Sequence, residues 1–556
     1  MGSFKDTILM KNIKYEGKLY ERFPKIYNIY VIGFVSCISG LMFGFDISSM
    51  SSMIGTDAYK QYFGSPDATK QGGITSSMAA GSFVGSLLSP LFSDVFGRRV
   101  SLHICSTFWL IGATLQCASQ DLAMLVVGRL VSGIGIGFGS AVAPVYCSEV
   151  APPKIRGAIA GLFQLSVTLG ILILYYVGYG AHFITSASSF RLTWGIQLVP
   201  GFVLLVATFF LPESPRWLAN KGFWEKATYN ICRINNTDPD NISEEVAIQL
   251  EEMNTQVMDD KEADSFTYAN LFRKKTIKKT IVGMSAQMWQ QLSGINVMMY
   301  YIVYIFQMAG YSGNAVLVSG SINYILNVAM TIPALFVIDK LGRRPILIVG
   351  GILMFVWLFA VAGLLSVYSV PVPGGVGGNE TVNIMIPDNH KHAAKGVIAC
   401  CYLFVCTFAP TWGIGIWIYC SEIFNNSERA KGSSLSAAVN WIFNFALGLF
   451  VPSAFQNITW KTYLMFGIFS VALTIHTFLM FPETKGKTLE EIDQMWEANI
   501  PAWRSASWKP TLPSHLHDDF KNLHTGESSS NFVEDDGKAE MEKPVVDHIE
   551  STDKSL

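Results

Sequence analysis

Two side chains carry charge where their neighbours offer none. Asp46 follows the run Leu41-Met42-Phe43-Gly44-Phe45, and Arg129 sits within Val126-Val127-Gly128-Arg129-Leu130. A charge inside an apolar helix costs several kcal/mol, so each of the two calls for a partner, and each is a candidate partner for the other. Read plainly, they form a structural ion pair or reach headgroups from near the helix ends. Read as chemistry, Asp46 is a carboxylate that takes up a proton when Arg129 lets it go. A second set of polar residues is neutral. Gln290, Gln291, Asn296 and Tyr300 lie within one short segment, and Gln291, Asn296 and Tyr300 are spaced to neighbour one another on a helix surface. Gln164, Asn327, Asn440 and Asn444 recur in other apolar stretches, with Trp417 and Trp441 as aromatic faces. Amides in such surroundings need hydrogen-bond partners, which helix–helix contacts can supply. Several amides plus an indole plane also suit a neutral polyhydroxylated ligand. An ionic ligand would need a compensating charge, and these helices have none beyond Asp46 and Arg129.

The elements that must position these residues follow from composition. Of 556 residues, 50% are hydrophobic and only 15% charged, against about 25% charged in soluble domains. Runs of about 20 apolar residues can cross a bilayer. Twelve such runs occur, near 27–47, 73–93, 100–119, 123–148, 157–180, 193–212, 280–306, 313–338, 346–368, 396–421, 433–455 and 462–481. Backbone groups in hydrocarbon must satisfy one another, so these runs are expected to be helices. The expectation is an all-α membrane protein of twelve transmembrane helices in two six-helix bundles. The run Gly133-Ile134-Gly135-Ile136-Gly137-Phe138-Gly139 lies inside one of them with no preceding strand. Close helix packing therefore explains it better than a nucleotide loop.

Three markers occur twice, in the same order. Asp94-Val95-Phe96-Gly97-Arg98-Arg99 pairs with Asp339-Lys340-Leu341-Gly342-Arg343-Arg344. Tyr146-Cys147-Ser148-Glu149 with Arg156 pairs with Tyr419-Cys420-Ser421-Glu422 with Arg429. Pro212-Glu213-Ser214-Pro215-Arg216 pairs with Pro482-Glu483-Thr484-Lys485-Gly486. A duplicated membrane unit points to a transporter whose site lies between the halves. Arginines at one end of a helix can bond carboxylates and carbonyls of a neighbour. Asp94, Arg98, Arg99, Glu149, Arg156, Asp339, Arg343, Arg344, Glu422 and Arg429 are therefore expected to form a network closing the cytosolic face.

Lys and Arg concentrate beside these markers and in the tails, and the opposite loops hold few, so both termini are expected in the cytosol. The expected division is a cytosolic tail at 1–26, a first bundle at 27–212, and a linker with short helices at 213–279. A second bundle follows at 280–481 and a cytosolic tail at 482–556, disordered beyond about 508 on composition. The tail's lysines and serines are candidate sites for ubiquitin or phosphate. Asn379 opens a sequon in the expected external loop 370–394 and is a candidate glycosylation site. No metal-ligand spacing, cofactor motif or catalytic constellation stands out. No cofactor, metal or nucleic-acid partner is expected, and the chain is not expected to be an enzyme.

Together, the two Gly-Arg-Arg loops, the two Pro-Glu markers and Gln290-Gln291-Leu292-Ser293-Gly294-Ile295-Asn296 closely resemble the sugar porter family of the major facilitator superfamily over about residues 27–500. Finer stretches, such as Met42 through Met50 and Trp289 through Ala309, resemble the high-affinity glucose transporters of yeasts. The resemblance implies a central monosaccharide site with alternating access. It implies sugar contacts at Gln164, Gln290, Gln291, Asn296, Asn327, Trp417, Asn440 and Asn444, and an external gate at Tyr300 and Tyr301. It also implies that Asp46 and Arg129 match the acid–base pair of proton-coupled members. Pro90 and Leu335 stand where the family often places Gly, four residues before each loop acid. The expectation is a plasma-membrane hexose transporter, with glucose foremost and xylose or other monosaccharides as further substrates, that moves a proton with the sugar. Passive uniport is the alternative, and a membrane sugar sensor a more distant one.

Overall fold

The protein is described here as a computed structural model. It describes residue 20 and residues 22–508, apart from 55, 65, 153–154, 239–241, 244–245, 248–249, 251–252, 255–256, 258–266, 312–313, 377–380 and 488. Asn379 and the tail beyond 508 lie outside the described residues, as do the side chains of Arg156 and Asp339.

Among the described residues, eleven helical stretches are long and apolar enough to cross a membrane, and the interrupted seventh span adds a twelfth. The first half comprises Ile29–Ser36 with Ile38–Met53, then Ala68–Phe96, Arg98–Cys117, Leu122–Val150, Arg156–Ala181, and Ser188–Ile196 with Leu198–Ala207. The second comprises three short helices over Ile277–Met308, then Asn314–Leu341, Arg343–Tyr368, Lys391–Glu422, Asn426–Asn457 and Lys461–Met480. Polar side chains start several of them. Asn28 accepts from Tyr30 and Val31, Asp67 from Lys70, and Asp121 from Met124, each satisfying a backbone N–H that has no partner within the helix.

The seventh span departs from the continuous helix expected over 280–306. It runs as Ile277–Leu292, Ile295–Tyr300 and Ile302–Met308. Gly294, at φ +89°, turns the chain left-handed between the first two pieces. Gln291 and Asn296 therefore sit on opposite sides of a break and not along one helix surface. The tenth span also breaks, with a π turn at Ala409–Gly413. Within the loop 370–394, Val370–Pro371 pairs antiparallel with Ile384–Met385, a short exception to the all-helical pattern.

The glycine-rich fourth span packs on both neighbours at backbone distance. A Cβ on Gly133 would lie 2.1 Å from Met78 O of the second span, and one on Gly135 2.6 Å from Cys105 O of the third. Small residues let apolar helices associate where lipid offers no hydrophobic drive. Between the halves, the second span packs along the eleventh and the fifth along the eighth. Outside the bundles, Pro215–Asn220 and Trp224–Ile234 bury Trp217 and Ile231 against Val246, Met253 and Val257. The helix Leu489–Glu497 is held to the start of the seventh span by ion pairs of Asp493 with Lys279 and of Glu497 with Lys275.

Candidate functional site

Asp46 and Arg129 meet in the middle of the first half. Arg129 Nη2 donates to Asp46 Oδ2 at 2.9 Å, and both side chains are fully buried. Arg129 also donates from Nε to Ile74 O (2.9 Å) and from Nη2 to Thr75 O (3.3 Å), carbonyls of the second span. The guanidinium thus keeps neutral acceptors if the carboxylate is protonated. Asp46 Oδ1 and Arg129 Nη1 have no hydrogen-bond partner among the described residues.

The amides of the second half form a directed chain. Asn296 Nδ2 donates to Gln291 Oε1 (2.5 Å), and Gln291 Nε2 to Asn440 Oδ1 (2.8 Å). Asn440 Nδ2 donates to both Gln287 Oε1 (2.7 Å) and Gln290 Oε1 (2.8 Å), and Gln290 Nε2 to Trp412 O in the π turn (2.9 Å). The broken seventh and tenth spans supply this geometry, since a break frees carbonyls that a regular helix would use itself. Gln164 of the first half stands opposite, with Nε2 3.5 Å from the Cβ position of Gly413. Trp417 packs edge-on to Phe163, and Trp441 to Phe43, while Trp441 Nε1 donates to Ser140 Oγ at 3.1 Å across the halves. Asn327 Nδ2 contacts Met299 Sδ at 4.0 Å, and among the described residues its Oδ1 and the Nδ2 of Asn444 have no hydrogen-bond partner. Tyr301 donates to Gly448 O at 3.1 Å, and the Tyr300 hydroxyl is buried without an aligned hydrogen bond. Gln287 was not among the residues expected from sequence. Its place one turn before Gln290 and Gln291 was the available signal.

The three repeated markers converge into one cluster in each half. In the first, Arg98 makes a forked pair with Glu149 (2.8 and 2.9 Å), and Ser214 Oγ donates to the same carboxylate. Glu213 Oε1 accepts the backbone N–H of Arg98, Arg99 and Ser214, and Tyr146 donates to Pro212 O. In the second, Arg343 forks onto Glu422 and Thr484 donates to it. Glu483 accepts from the backbone of Arg343 and Arg344, and Tyr419 donates to Pro482 O. The glycine of each Gly-Arg-Arg is required twice over. Gly97 and Gly342 have φ of +97° and +96°, and a Cβ would lie 2.4 and 2.7 Å from the Glu213 and Glu483 carboxylates. Burial pushes the Glu213 carboxyl above its ordinary value, opposed by Arg99 and by those backbone donors. Glu213 and Glu483, part of the repeated Pro-Glu markers, join these networks beyond the residues expected from sequence. Arg99 and Arg344 turn to carbonyls, Leu211 O and Phe478 O, and to the faces of Tyr20 and Phe478. Arg429 donates to Phe424 O.

Each cluster lies within one half. Links between halves at this end include Asp94 with Lys431 (2.9 Å) and Ser89 with Ser434 (3.1 Å). At the opposite end, Tyr324 Oη lies 3.3 Å from Ser51 Oγ, and Tyr175 donates to Leu317 O. The halves therefore touch at both ends of the central site. Lys431→Ala is expected to raise the fraction of molecules open at the Gly-Arg-Arg end by a factor of a few, the scale of a partly exposed ion pair. Spin-label distances between the halves at that end would report the change.

Two duplicated six-helix bundles closed around a buried polar centre define a transporter of the major facilitator class. The sequence matches the family of sugar (and other) transporters over residues 32–496, and the chain belongs to that family. It is 69% identical over 512 residues to the high-affinity glucose transporter of Kluyveromyces lactis, covering 92% of this chain and 93% of the relative. It is 53% identical to high-affinity glucose transporter 1 of Candida albicans, covering 89% of this chain and 90% of the relative. Among solved structures, a proton:xylose symporter of the major facilitator superfamily, bound to 6-bromo-6-deoxy-D-glucose, matches with a TM-score of 0.72 at 24% identity. The match covers 84% of this chain and 99% of that one.

Proposed function

We propose that this chain carries a hexose, with glucose foremost and xylose or other monosaccharides as further substrates, across the plasma membrane by alternating access, with a proton moving alongside. The observation that carries the reading is the chain of neutral amides from Asn296 to Gln290 in the second half, with the buried ion pair Asp46–Arg129 in the first. Amides donate and accept at once and so match hydroxyls without demanding charge. The two yeast relatives, both high-affinity glucose transporters, support glucose as the substrate.

In the proposed cycle, Asp46 takes a proton from outside and loosens from Arg129, which keeps the carbonyls of Ile74 and Thr75. Sugar enters past Tyr300 and Tyr301, bonds the amides, and leaves after the halves rock. The basic Gly-Arg-Arg end faces the cytosol by the positive-inside rule, and there Asp94–Lys431 closes the path until the halves part. The two marker clusters make each half rigid, so that rocking is a movement between halves.

The test is uptake of a labelled, non-metabolised glucose analogue in yeast stripped of its own hexose carriers. An internal-to-external ratio well above one, lost on adding a protonophore, is the expected result. A ratio of one would make the chain a passive uniporter. Absence of entry by a chain that reaches the surface would move the sugar-sensor reading forward.

A further inference from the structure

At the end opposite the Gly-Arg-Arg loops, two tyrosines from different halves pack ring against ring. Tyr175 of the fifth span and Tyr324 of the eighth have centroids 4.6 Å apart at a tilt of 51°, and both side chains are buried. Each hydroxyl has a definite partner. Tyr175 Oη donates to Leu317 O at 3.1 Å, which ties the fifth span of the first half to the eighth span of the second. Tyr324 Oη donates to Met299 O at 2.8 Å and lies 3.3 Å from Ser51 Oγ of the first span. Met299 belongs to the last turn of the short helix Ile295–Tyr300, where carbonyls lack a partner within the helix and are open to an outside donor.

The eighth span is fitted to this contact. Leu317, Gly320, Tyr324 and Asn327 recur every three or four residues and so share one helix face. Gly320 faces the Tyr175 hydroxyl: a Cβ there would lie 2.5 Å from Oη and 3.3 Å from the ring carbon that bears it. Any larger residue would push the hydroxyl away from Leu317 O. Asn327, one turn past Tyr324, lies deeper in the span, so the two rings stand on the external side of the expected sugar contacts. Tyrosine suits a seal that must open and shut. Its ring fills a dry contact, and its single hydroxyl exchanges one protein partner for water when the contact parts. An ion pair in the same place would carry a larger desolvation cost.

We infer that Tyr175 and Tyr324, packed over Gly320, form a clasp that shuts the external end above the sugar site, in addition to the gate expected at Tyr300 and Tyr301. The inference rests on the alternating-access reading above. With the clasp shut, the Tyr175 hydroxyl holds the two halves together at Leu317 O. Tyr324, through Met299 O, holds the short helix of the seventh span to the eighth. Opening breaks the bond from Tyr175 to Leu317 and parts the rings, while Tyr324 keeps Met299 O and moves with the second half. The seventh and eighth spans therefore leave the first half as one body. Tyr175 and Tyr324 are positioning residues: they set how readily the external end opens, not how the sugar is bonded.

Tyr175→Phe, Tyr324→Phe, Gly320→Ala and the double variant Tyr175→Phe with Gly320→Ala test the clasp against wild type. Distances between spin labels at Lys60→Cys in the first half and Lys391→Cys in the second are read with and without glucose. Tyr175→Phe keeps the ring and removes one hydrogen bond, so the ratio of open to shut molecules should rise about 2- to 10-fold. Tyr324→Phe should act in the same direction. Gly320→Ala should open the end at least as far as Tyr175→Phe, because its methyl displaces the hydroxyl. In the double variant that clash is gone, so the ratio should match Tyr175→Phe alone and not the product of the two single effects. The KM for external glucose should not rise in Tyr175→Phe. If wild type responds to glucose but the single variants keep its open-to-shut ratio, or if the effects of Gly320→Ala and Tyr175→Phe simply multiply, the hydroxyl is no clasp and the inference is overturned. If the wild-type distances do not respond to glucose at all, the alternating-access reading itself falls and takes the inference with it.

Discussion

Asp46→Asn should reduce sugar accumulation from a ratio set by the membrane potential to a ratio of one. One charge moving down about 100 mV gains about 2.3 kcal/mol, which sustains roughly fifty-fold accumulation. The substitution is mild in shape. Asn keeps an oxygen opposite Arg129 Nη2, and Arg129 retains its bonds to Ile74 O and Thr75 O, so the guanidinium is not left wholly unpaired. What is lost is the site that binds and releases the proton, and with it the sensitivity of uptake to a protonophore. The measurement is the steady internal-to-external ratio of a non-metabolised analogue in energised cells, with surface expression matched to wild type. A mutant that still accumulates sugar would show that the proton travels elsewhere, and Asp46–Arg129 would then be the structural ion pair of the plain reading.

Asn440→Leu should raise the KM for glucose about 100-fold or more. Asn440 is the hub of the amide chain, accepting from Gln291 and donating to Gln287 and Gln290. Leucine keeps the branching of the side chain but is larger and has no polar atoms, so three amide groups lose a partner together. Unsatisfied buried groups cost about 1–3 kcal/mol each, and loss of about 3 kcal/mol of sugar binding corresponds to roughly 10²-fold in affinity. The freed amides would also turn, which disorders the acceptors and donors presented to the ligand. Gln287→Leu removes one acceptor from the same hub and leaves Gln290 and Gln291 engaged, so its effect should be the smaller of the two. Initial uptake rates over a wide glucose range would separate the cases. An unchanged KM with a lower maximal rate would place Asn440 in helix packing and remove it from the sugar site.

Much of this architecture was legible in the chain. The apolar runs set the number of spans, because backbone groups in hydrocarbon have nowhere to turn but to each other. The repeated markers exposed the duplication, and Asp46 and Arg129 announced each other because a solitary charge in such a run is too costly to keep. The identities of the central amides were also readable, as residue types out of keeping with their surroundings.

What the sequence could not decide was where strands of local preference give way to tertiary geometry. Nothing in the run 280–306 distinguishes a continuous helix from one cut at Gly294 and Tyr301, since a glycine inside an apolar helix is often only a packing residue. The break became definite where the pieces dock on different partners, with Ile295–Tyr300 wedged between the first and eleventh spans. The order of the amide chain, and with it the role of Gln287, likewise depends on which helix faces which. So does the gathering of charged markers into a cluster in each half, and the pairing of Asp94 with Lys431 across them. By itself the sequence determined the spans, their duplication and the polar residues that had to find partners, because hydrophobicity and desolvation act locally along the chain. Only the tertiary structure decided which partners they found, because hydrogen-bond direction and ion pairing depend on distances of a few ångströms between segments far apart in sequence.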